Sequence, residues 1–458
     1  MPTRRICNPA RPGALLGFLA GALTALPSRA QEQPAVPPAP SASPAGAAQE
    51  GRLDELERQL TQVATERQES ELHAAEEEEH RLKLFGFTDF VVGKISAPEN
   101  SEAALVSNRN LFFTAWHLNL FLDKRLSGAF HTQAEVRFTW LPLGTETSLE
   151  SPTTTYTRTD TTVQDPFVKQ DLRWGSIIIE RAWIEYQPRD WLGVRVGRFL
   201  TPYGIWNEEH GTPVLIPARQ PIFLTVALMP TAQTGFWVHG RAFPLNGVSL
   251  DYGVTVSNGR GPLDEIADLD SNKAVGARLR ATWQGEAKVS LGAYYYTGDY
   301  TDLKRRVTQI DPLRAEEVIT VAYTEHTIAG DLLVEWGALR FQAEVLYGSV
   351  AYHGQRRELD PISQAPLSDH LRNGGYGLLA YRLPFRFAEL RPYLMYDHYD
   401  TNNYLSGISA AGNVIAGGIN WRITPETVAK AELLKSWVAR VSPASTFEAL
   451  ALQLATTF

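Results

Sequence analysis

The last eleven residues of the chain, Glu448 to Phe458, alternate strictly between apolar side chains and small or polar ones. Leu450, Leu452, Leu454 and Phe458 share one face. Side chains alternate across a β-strand, so this segment predicts a strand with one apolar face. An edge strand of a soluble sandwich could show this pattern, but the closing strand of a membrane barrel also ends in an interfacial aromatic residue. Whether the chain is a soluble sandwich or a membrane barrel depends on whether its other segments show the same alternation.

The N-terminus has the three parts of a secretory signal peptide. Arg4 and Arg5 precede an apolar stretch from Gly13 to Leu26, and the small-residue pattern Ser28-Arg29-Ala30 follows. This predicts a signal peptide over residues 1–30. The apolar stretch is too short to span a membrane as a helix, and no later segment is apolar for long enough. A membrane location therefore requires a closed barrel, because open sheet edges are not tolerated in lipid.

Cysteine content and charge narrow the class of protein further. The one cysteine, Cys7, lies in the predicted signal peptide, so the mature chain has no disulfide framework. Removal of the signal peptide, with its four arginines, takes the formal net charge from −8 to −12. An acidic chain is a poor partner for nucleic acid. The composition instead suits a protein of an anionic cell envelope.

Three zones follow the signal peptide. Residues 31–50 are rich in proline and alanine and are interpreted as a disordered spacer. Residues 51–80 are predicted to form a short coiled-coil helix, because apolar residues recur at a 3-4-3 spacing. Those residues are Leu53, Leu56, Leu60 and Val63. Residues 82–458 are predicted to form an outer-membrane β-barrel.

About sixteen segments of this third zone alternate as membrane-spanning strands do. In one of them, Leu339, Phe341 and Ala343 oppose Arg340 and Gln342. We therefore predict an all-β membrane protein, a sixteen-stranded antiparallel transmembrane β-barrel preceded by the coiled-coil helix. The alternation has exceptions, since Glu180 and Lys435 fall on the apolar faces of their strands. The predicted strands start near Leu82, Leu111, Gly128, Ser176, Trp191, Gln233, Gly247, Lys273, Ala287, Thr327, Ala338, Asn373, Ala388, Asn413, Glu426 and Ser445.

The connections between these segments alternate between short and long. Bacterial barrels have short periplasmic turns and long outer loops, so the alternation supports the barrel independently. An even number of strands also places both chain ends, and with them the N-terminal segment, on the periplasmic side of the outer membrane. The long connections lie near 94–109, 141–175, 200–231, 258–272, 298–325, 351–371 and 399–411, with a shorter one near 438–444.

Charged residues fall on the face opposite the apolar one, which is the inside of the predicted barrel. Charges are very unfavourable in a dry interior, whereas in a water-filled pore they are tolerated and set ion selectivity. Some of them could instead be solvated or paired across strands. Arg278 and Arg280 have no acidic residue between them and are the stronger candidates for contact with an anion. The predicted pore-lining residues are Arg137, Arg181, Arg195, Arg278, Arg280, Arg340, Glu135, Glu185, Glu344 and Lys430.

The third long connection, residues 200–231, is unusually apolar for an exposed loop. A long apolar loop is unfavourable in water, so we expect it to fold either into the lumen or against a partner subunit. If it folds inward, it narrows the pore and brings Glu208, Glu209, His210 and Arg219 to the constriction.

The residues around this loop resemble a known family. Arg181-Ala182-Trp183-Ile184-Glu185-Tyr186, followed by Gly197-Arg198-Phe199 and Pro202-Tyr203-Gly204, is similar to a motif of the phosphate-selective porins of O and P type. The resemblance implies a sixteen-stranded homotrimeric channel whose third loop folds into the pore. It also implies anion transport, although Glu208 and Glu209 depart from the basic loop of that family. The transported solute therefore stays open.

Two other classes of barrel are weighed against a channel. An outer-membrane barrel enzyme would use residues such as Asp397 and His398, but such enzymes have smaller, filled barrels, so we expect no enzyme activity and no cofactor. A structural or adhesive barrel anchored by the coiled coil is the other alternative. For the channel we expect as partners the outer-membrane lipid, the barrel-assembly machinery, which would recognise Phe458, and small solutes or ions.

Overall fold

A computed structural model describes the residues of 80–98, 110–126, 128–139, 148–151, 154–157, 176–208, 211–225, 228–245, 247–261, 268–307, 315–359, 365–385, 389–401, 411–439 and 445–458. The predicted signal peptide, the Pro/Ala-rich spacer and almost all of the predicted coiled-coil helix lie outside the described residues. One compact unit extends from Leu82 to Phe458. No helix among the described residues is long and apolar enough to cross a membrane.

The described residues form eighteen strands and one short helix, α1 (Ile222–Thr225). The strands are β1 (Lys83–Ser96), β2 (Phe112–Arg125), β3 (Phe130–Thr139), β4 (Ser148–Ser151), β5 (Thr154–Thr157), β6 (Ser176–Arg189), β7 (Leu192–Leu200), β8 (Ala232–Leu245), β9 (Val248–Ser257), β10 (Ala274–Gln284), β11 (Ala287–Val307), β12 (Ala315–Trp336), β13 (Leu339–Tyr352), β14 (His370–Tyr381), β15 (Glu389–Asp400), β16 (Ala411–Arg422), β17 (Thr427–Ala439) and β18 (Ser445–Thr457).

Sixteen of these strands form one closed antiparallel barrel, which confirms the predicted fold class. Each strand pairs with its neighbours along the chain, and β4 and β5 form a separate two-stranded sheet within the connection from β3 to β6. The barrel closes between β1 and β18. There the N–H of Phe458 donates to the carbonyl of Gly86 at 3.0 Å, and the N–H of Gly86 donates to the carbonyl of Phe458 at 2.9 Å. Closure leaves no unpaired sheet edge, as a barrel in lipid requires.

The alternation of the sequence becomes the two faces of the barrel wall. On β13, Val345 and Tyr347 are exposed on the outside, whereas Glu344 and Leu346 are buried inside. The same division holds on β18, where Leu452 and Leu454 are exposed outward. An outer surface made of such side chains is the apolar band that membrane barrels present to lipid.

The observed starts of the sixteen barrel strands lie within three residues of the predicted ones, with β12 as the exception, whereas β4 and β5 were not predicted. This strand begins at Ala315 rather than near Thr327, and its partner β11 continues to Val307. The prediction of a loop over residues 298–325 is therefore wrong for most of that range. The two strands pair over their full length, and Tyr300 stacks on Tyr323 with ring centroids 4.8 Å apart. Cross-strand aromatic pairs of this kind stabilise an extended hairpin.

A β-bulge explains why Glu180 breaks the alternation of β6. Glu135 pairs with Arg181, but the next pair joins Val136 to Ile179, so Glu180 is the extra residue. A bulge lets two consecutive residues point to the same side of a sheet. Glu180 and Arg181 consequently both face the lumen, where Glu180 forms an ion pair with Arg137. The polar residue is thus inside the barrel, and the outward face stays apolar.

Candidate functional site

The connection between β7 and β8, residues 201–231, folds into the barrel and is called here the inward loop. Its first turn is held by the wall beside it. The hydroxyl of Tyr203 lies 2.8 Å from that of Thr255 on β9, and the N–H of Trp206 donates to the Glu344 carboxylate on β13 at 2.8 Å. The Tyr376 hydroxyl donates to the same oxygen of Glu344 at 2.8 Å. A lumenal carboxylate therefore binds the backbone of the loop.

The inward loop then crosses the lumen to the opposite wall. Its root lies between β7 and β8, and in the closed order of sixteen strands β15 and β16 are diametrically opposite. On that wall the Lys430 amine of β17 donates to the carbonyls of Thr212 at 2.7 Å and Pro217 at 2.9 Å. On β16, the Asn420 amide donates to the carbonyl of Ile216 at 3.0 Å. Side-chain donors thus satisfy loop carbonyls that secondary structure leaves unpaired.

The apolar residues of the inward loop pack into the same space. Phe223, Leu224 and Leu228 join a buried cluster that contains further residues of the loop and residues of the barrel wall, such as Leu346 and Met395. The wall leaves room for them at Gly374, where a Cβ atom would lie 2.7 Å from both Phe223 and Leu228. Burying these side chains inside the barrel removes the apolar surface that made an exposed loop implausible. Of the two places predicted for this loop, the structure shows the lumen.

Arg278 and Arg280 lie beneath the root of the inward loop. Arg278 donates to the carbonyl of Pro202 at 2.8 Å, and Arg280 donates to the carbonyl of Gly204 at 3.0 Å. Both guanidinium groups also form ion pairs with Glu208. The two arginines that were the stronger candidates for anion contact therefore hold the loop in place, and Glu208 is more exposed than either of them.

Glu208 belongs to the loop and not to a strand. Burial would raise the pKa of its carboxyl group, but Arg278 and Arg280 outweigh burial and hold that pKa below the usual 4.5. The carboxylate is therefore ionised across the physiological pH range. It forms a charged latch between the loop and β10.

The arc of wall formed by β1, β2, β3 and β6 carries a second set of charged residues. Arg181 donates to Glu135 at 2.5 Å, and the Asn119 amide donates to the other oxygen of Glu135 at 2.6 Å. The imidazole of His117 lies 3.1 Å from the Asp89 carboxylate. These pairs follow the wall from one strand to the next and form a continuous polar surface.

In this surface the acidic groups lie behind the basic ones. The Arg181 side chain is 20% exposed and that of Glu135 0%. For Arg195 and Glu185 the exposed fractions are 18% and 5%. Arg137 is likewise more exposed than Glu180, and His117 more exposed than Asp89. The charges are paired, but in each pair the basic side chain is more exposed to solvent than the acidic one.

Arg195 is held by aromatic rings as well as by Glu185. Its guanidinium carbon lies 3.8 Å from the ring centroid of Trp183 and 4.5 Å from that of Trp237. A guanidinium nitrogen of Arg195 lies 2.6 Å from a carboxylate oxygen of Glu185, and Nε2 of His239 lies 2.9 Å from the same oxygen. Contact with two rings restricts the orientation of the guanidinium group.

The remaining predicted site residues divide between the loop and the wall. Arg219 binds Asp397 on β15 at 2.7 Å and lies 3.5 Å from Glu432. Arg340 forms an ion pair with Glu335 at 3.1 Å. Glu344 and Lys430 contact the inward loop as described above. Glu209 and His210 lie outside the described residues.

Asp397 was weighed only as a residue of a barrel enzyme, yet it binds Arg219 of the loop. Two other residues that hold the loop, Asn420 and Arg422, were missed by sequence reasoning. Both lie on the inward face of β16, and alternation was the signal that could have found them. Their partners on the loop could not be found in that way, because the loop has no repeating pattern. No group of three or more His, Cys, Asp or Glu residues suited to a metal ion occurs among the described residues.

Comparisons with known proteins identify the fold. No protein-family model and no curated protein matches the chain. Among solved structures, an anion-selective porin from Comamonas acidovorans is 11% identical with a TM-score of 0.50, and the match covers 82% of this chain and 99% of that one. OprB of Pseudomonas putida is 11% identical with a TM-score of 0.48, covering 82% and 94%. At such identity the likeness shows a shared fold, the barrel of outer-membrane porins.

Proposed function

We propose that this protein is an outer-membrane porin, a water-filled channel for the passive diffusion of small solutes and ions, narrowed by the inward loop. The observation that carries the proposal is the loop clamped across the full diameter of the barrel. A sixteen-stranded barrel encloses an aqueous lumen. A loop held across that lumen leaves the passage beside the charged wall of β1, β2, β3 and β6. A purely structural barrel has no use for such a passage.

We propose further that the channel prefers anions, phosphate among them. At a distance the paired charges of the wall largely cancel. A permeating ion, however, passes within a few ångströms of the wall, where the nearest charge dominates because Coulomb energy falls with distance. The exposed guanidinium groups of Arg137, Arg181 and Arg195 are then closer to the ion than Glu180, Glu135 and Glu185. Planar guanidinium forks also match phosphate and carboxylate geometry.

The same proposal includes the setting of the channel. The outward apolar face would contact outer-membrane lipid, and the segment that precedes β1 would lie in the periplasm. The proposal also includes assembly of the protein as a homotrimer. It includes recognition of Phe458 by the barrel-assembly machinery. The exposed aromatic ring of Phe458 at the end of the closing strand supports the last point.

Planar bilayer recordings on the purified protein test both parts. We expect stepwise conductance, and under a salt gradient we expect a reversal potential of the sign that anion permeation gives. Absence of conductance would overturn the channel and favour a structural or adhesive barrel. A reversal potential at zero would overturn the anion preference, whereas the proposal of a channel would still stand.

A shortened inward loop tests the proposed constriction. Replacing residues 211–219 by two glycines removes the part of the loop that reaches β16 and β17. We expect a larger single-channel conductance, because the obstacle across the lumen is gone. Conductance equal to that of the unaltered protein would contradict narrowing by the loop.

A further inference from the structure

The outward face of the barrel carries a charged cluster in an otherwise apolar surface. Lys435 lies between Leu433 and Trp437 on β17, at a position where alternation predicts an apolar residue. Its amine lies 2.9 Å from the Glu448 carboxylate on β18. Lys94 of β1 is exposed on the same outer face. No bulge turns these residues inward, so the channel interior does not explain them.

The register brings the cluster together across three strands. Lys435 pairs with Glu448, and Glu448 pairs with Ser96 of β1. The adjacent outward row joins Lys94 to Leu450 and Leu450 to Leu433. The two lysines therefore lie in neighbouring rows on either side of β18.

These rows line a cleft of about 510 Å³ on the outside of the wall. Part of the lining is apolar, from Leu433 and Leu450, and Gly417 on β16 leaves room where a side chain would stand. Lys94, Lys435 and Glu448 line the same cleft. The cleft thus combines a surface suited to hydrocarbon with a local excess of one positive charge.

The height of the cluster on the barrel fits a lipid headgroup. β17 ends at Ala439 and β18 begins at Ser445, so the cluster lies near the top of this hairpin, at the end of the barrel opposite Phe458. Exposed Trp437 lies on the same face, two residues closer to the hairpin end. Tryptophan marks the membrane interface in barrels, and lysines just below it extend their amines toward headgroups.

We propose that this cleft binds a phosphorylated acyl lipid of the outer leaflet, with its phosphate on Lys94 and Lys435 and an acyl chain along Leu433 and Leu450. The proposal rests on the proposed outer-membrane location. Charge complementarity favours this occupant, because ammonium groups bind phosphate as concentrated point charges. A second copy that met this cleft with its own cleft would present the same positive excess and would be repelled. Glu448 holds Lys435 in place at a small cost in attraction for the anion.

Lipid binding by the full-length mature protein in neutral detergent is the direct test. Lipid A is titrated into the protein, and bound copies are counted by native mass spectrometry. We expect the double variant K94Q/K435Q to raise the half-saturating concentration by about tenfold or more, because each lysine supplies a charge-assisted contact. The control K124Q/K273Q removes the same charge far from the cleft, and like Lys435 its Lys273 is in an ion pair, with Asp268. The control should bind as the unaltered protein does.

Two further measurements separate the proposed ligand from other occupants. E448Q should bind lipid A more tightly, because it removes the one like charge from the phosphate site. Dephosphorylated lipid A should bind as weakly to the unaltered protein as lipid A does to K94Q/K435Q. Equal binding of both lipids, or no effect of the lysine substitutions, would overturn the site.

Crosslinking tests whether the clefts of two copies meet each other. The mature chain has no cysteine, and Leu433 is well exposed, so L433C adds a single reporter thiol. Disulfide-linked dimers in membranes would overturn the lipid proposal in favour of a subunit contact. We expect none.

Conductance measurements test the proposed channel independently of the proposed lipid site. The cluster lies outside the wall, so K94Q/K435Q should conduct as the unaltered protein does. A protein that conducts but binds both lipid forms equally overturns the lipid site alone. A protein that binds lipid A through the lysines but does not conduct overturns the channel alone.

Discussion

The amine of Lys430 lies 2.7 Å from the carbonyl oxygen of Thr212, although the two residues are 218 positions apart and the loop of Thr212 starts on the opposite side of the barrel. The same amine binds the carbonyl of Pro217 at 2.9 Å. One buried amine therefore holds both ends of a loop segment against β17. This contact turns a flexible connection into a fixed obstacle across the lumen.

Removing the Lys430 amine should release the tip of the inward loop. K430M keeps nearly the length of the side chain but loses two buried hydrogen bonds, each worth about 1 kcal/mol. We expect a larger and noisier single-channel conductance. K435M on the outward face of the same strand is the matched control and should leave the current unchanged. A quiet current of normal size in K430M would show that the clamp is dispensable.

Neutralising Arg181 should weaken the anion preference. R181Q leaves Glu135 with the Asn119 amide but without its guanidinium partner, so the wall gains an uncompensated negative charge. We expect the reversal potential under a salt gradient to move toward the cation side. R198Q serves as the control. It also removes one arginine, but Arg198 donates to the backbone carbonyl of Ile179 and not to a carboxylate of this surface. Equal reversal potentials for R181Q and the unaltered protein would argue against the exposed guanidinium surface.

The latch between Glu208 and the arginines of β10 should give a defined acid response. The pKa of Glu208 is held below its usual 4.5. A carboxyl group with a lowered pKa stabilises the docked loop fully above the usual value, and this stabilisation is lost as the pH falls through the lowered pKa. We expect conductance to stay constant from pH 7 down to about 4.5 and to change only in stronger acid. E208Q should behave at neutral pH as the unaltered protein does in strong acid; an acid response that persists in E208Q must come from another group.

Gly204 is required where the inward loop meets Glu344. Its φ is +77°, and a Cβ atom there would collide with the Glu344 carboxylate. G204A should therefore displace the first turn of the loop and raise the conductance. G337A is the control, since Gly337 has a φ of +58° with nothing within 4 Å of a Cβ. The control should lose only about 1 kcal/mol of stability from backbone strain, with a normal current.

Phe458 should be needed for barrel assembly. Its backbone forms two hydrogen bonds with Gly86, and its exposed ring covers this glycine. Deleting Phe458 removes both bonds from the closing seam, so we expect a marked fall in the yield of heat-resistant barrel in the outer membrane. F458Y keeps an aromatic ring and the backbone bonds and should assemble normally. Normal yield after the deletion would contradict the assembly role.

Much of the fold could be predicted because the strands and connections of a membrane barrel produce patterns among neighbouring residues in the sequence. Side chains alternate with period two along every strand, and short and long connections alternate between strands. Both patterns can be read from neighbouring residues. They gave the closed sixteen-stranded barrel and the starts of all its strands but β12. Where the alternation failed at Glu180, a bulge supplied the reason, and pairing with β3 was needed to see it.

The extended hairpin of β11 and β12 was missed because residues 298–325 include many charged and polar residues. Alternation is weak there, because polar residues occur on both faces of the hairpin. Pairing between Tyr300 and Tyr323 then decides the structure, and such a pair has no signal in a single sequence.

The sequence by itself determined the class of the protein, the inward and outward faces of its wall and the apolar character of the third loop. Only the tertiary structure decided where that loop goes and which charges meet solvent. Arg278 and Arg280 looked like pore-lining residues on their strand, yet they bind the carbonyls of Pro202 and Gly204. The physical reason is the separation along the chain of the residues that determine each property. Alternation is a property of adjacent residues, whereas the burial of a carboxylate behind a guanidinium group depends on strands and loops far apart in the chain.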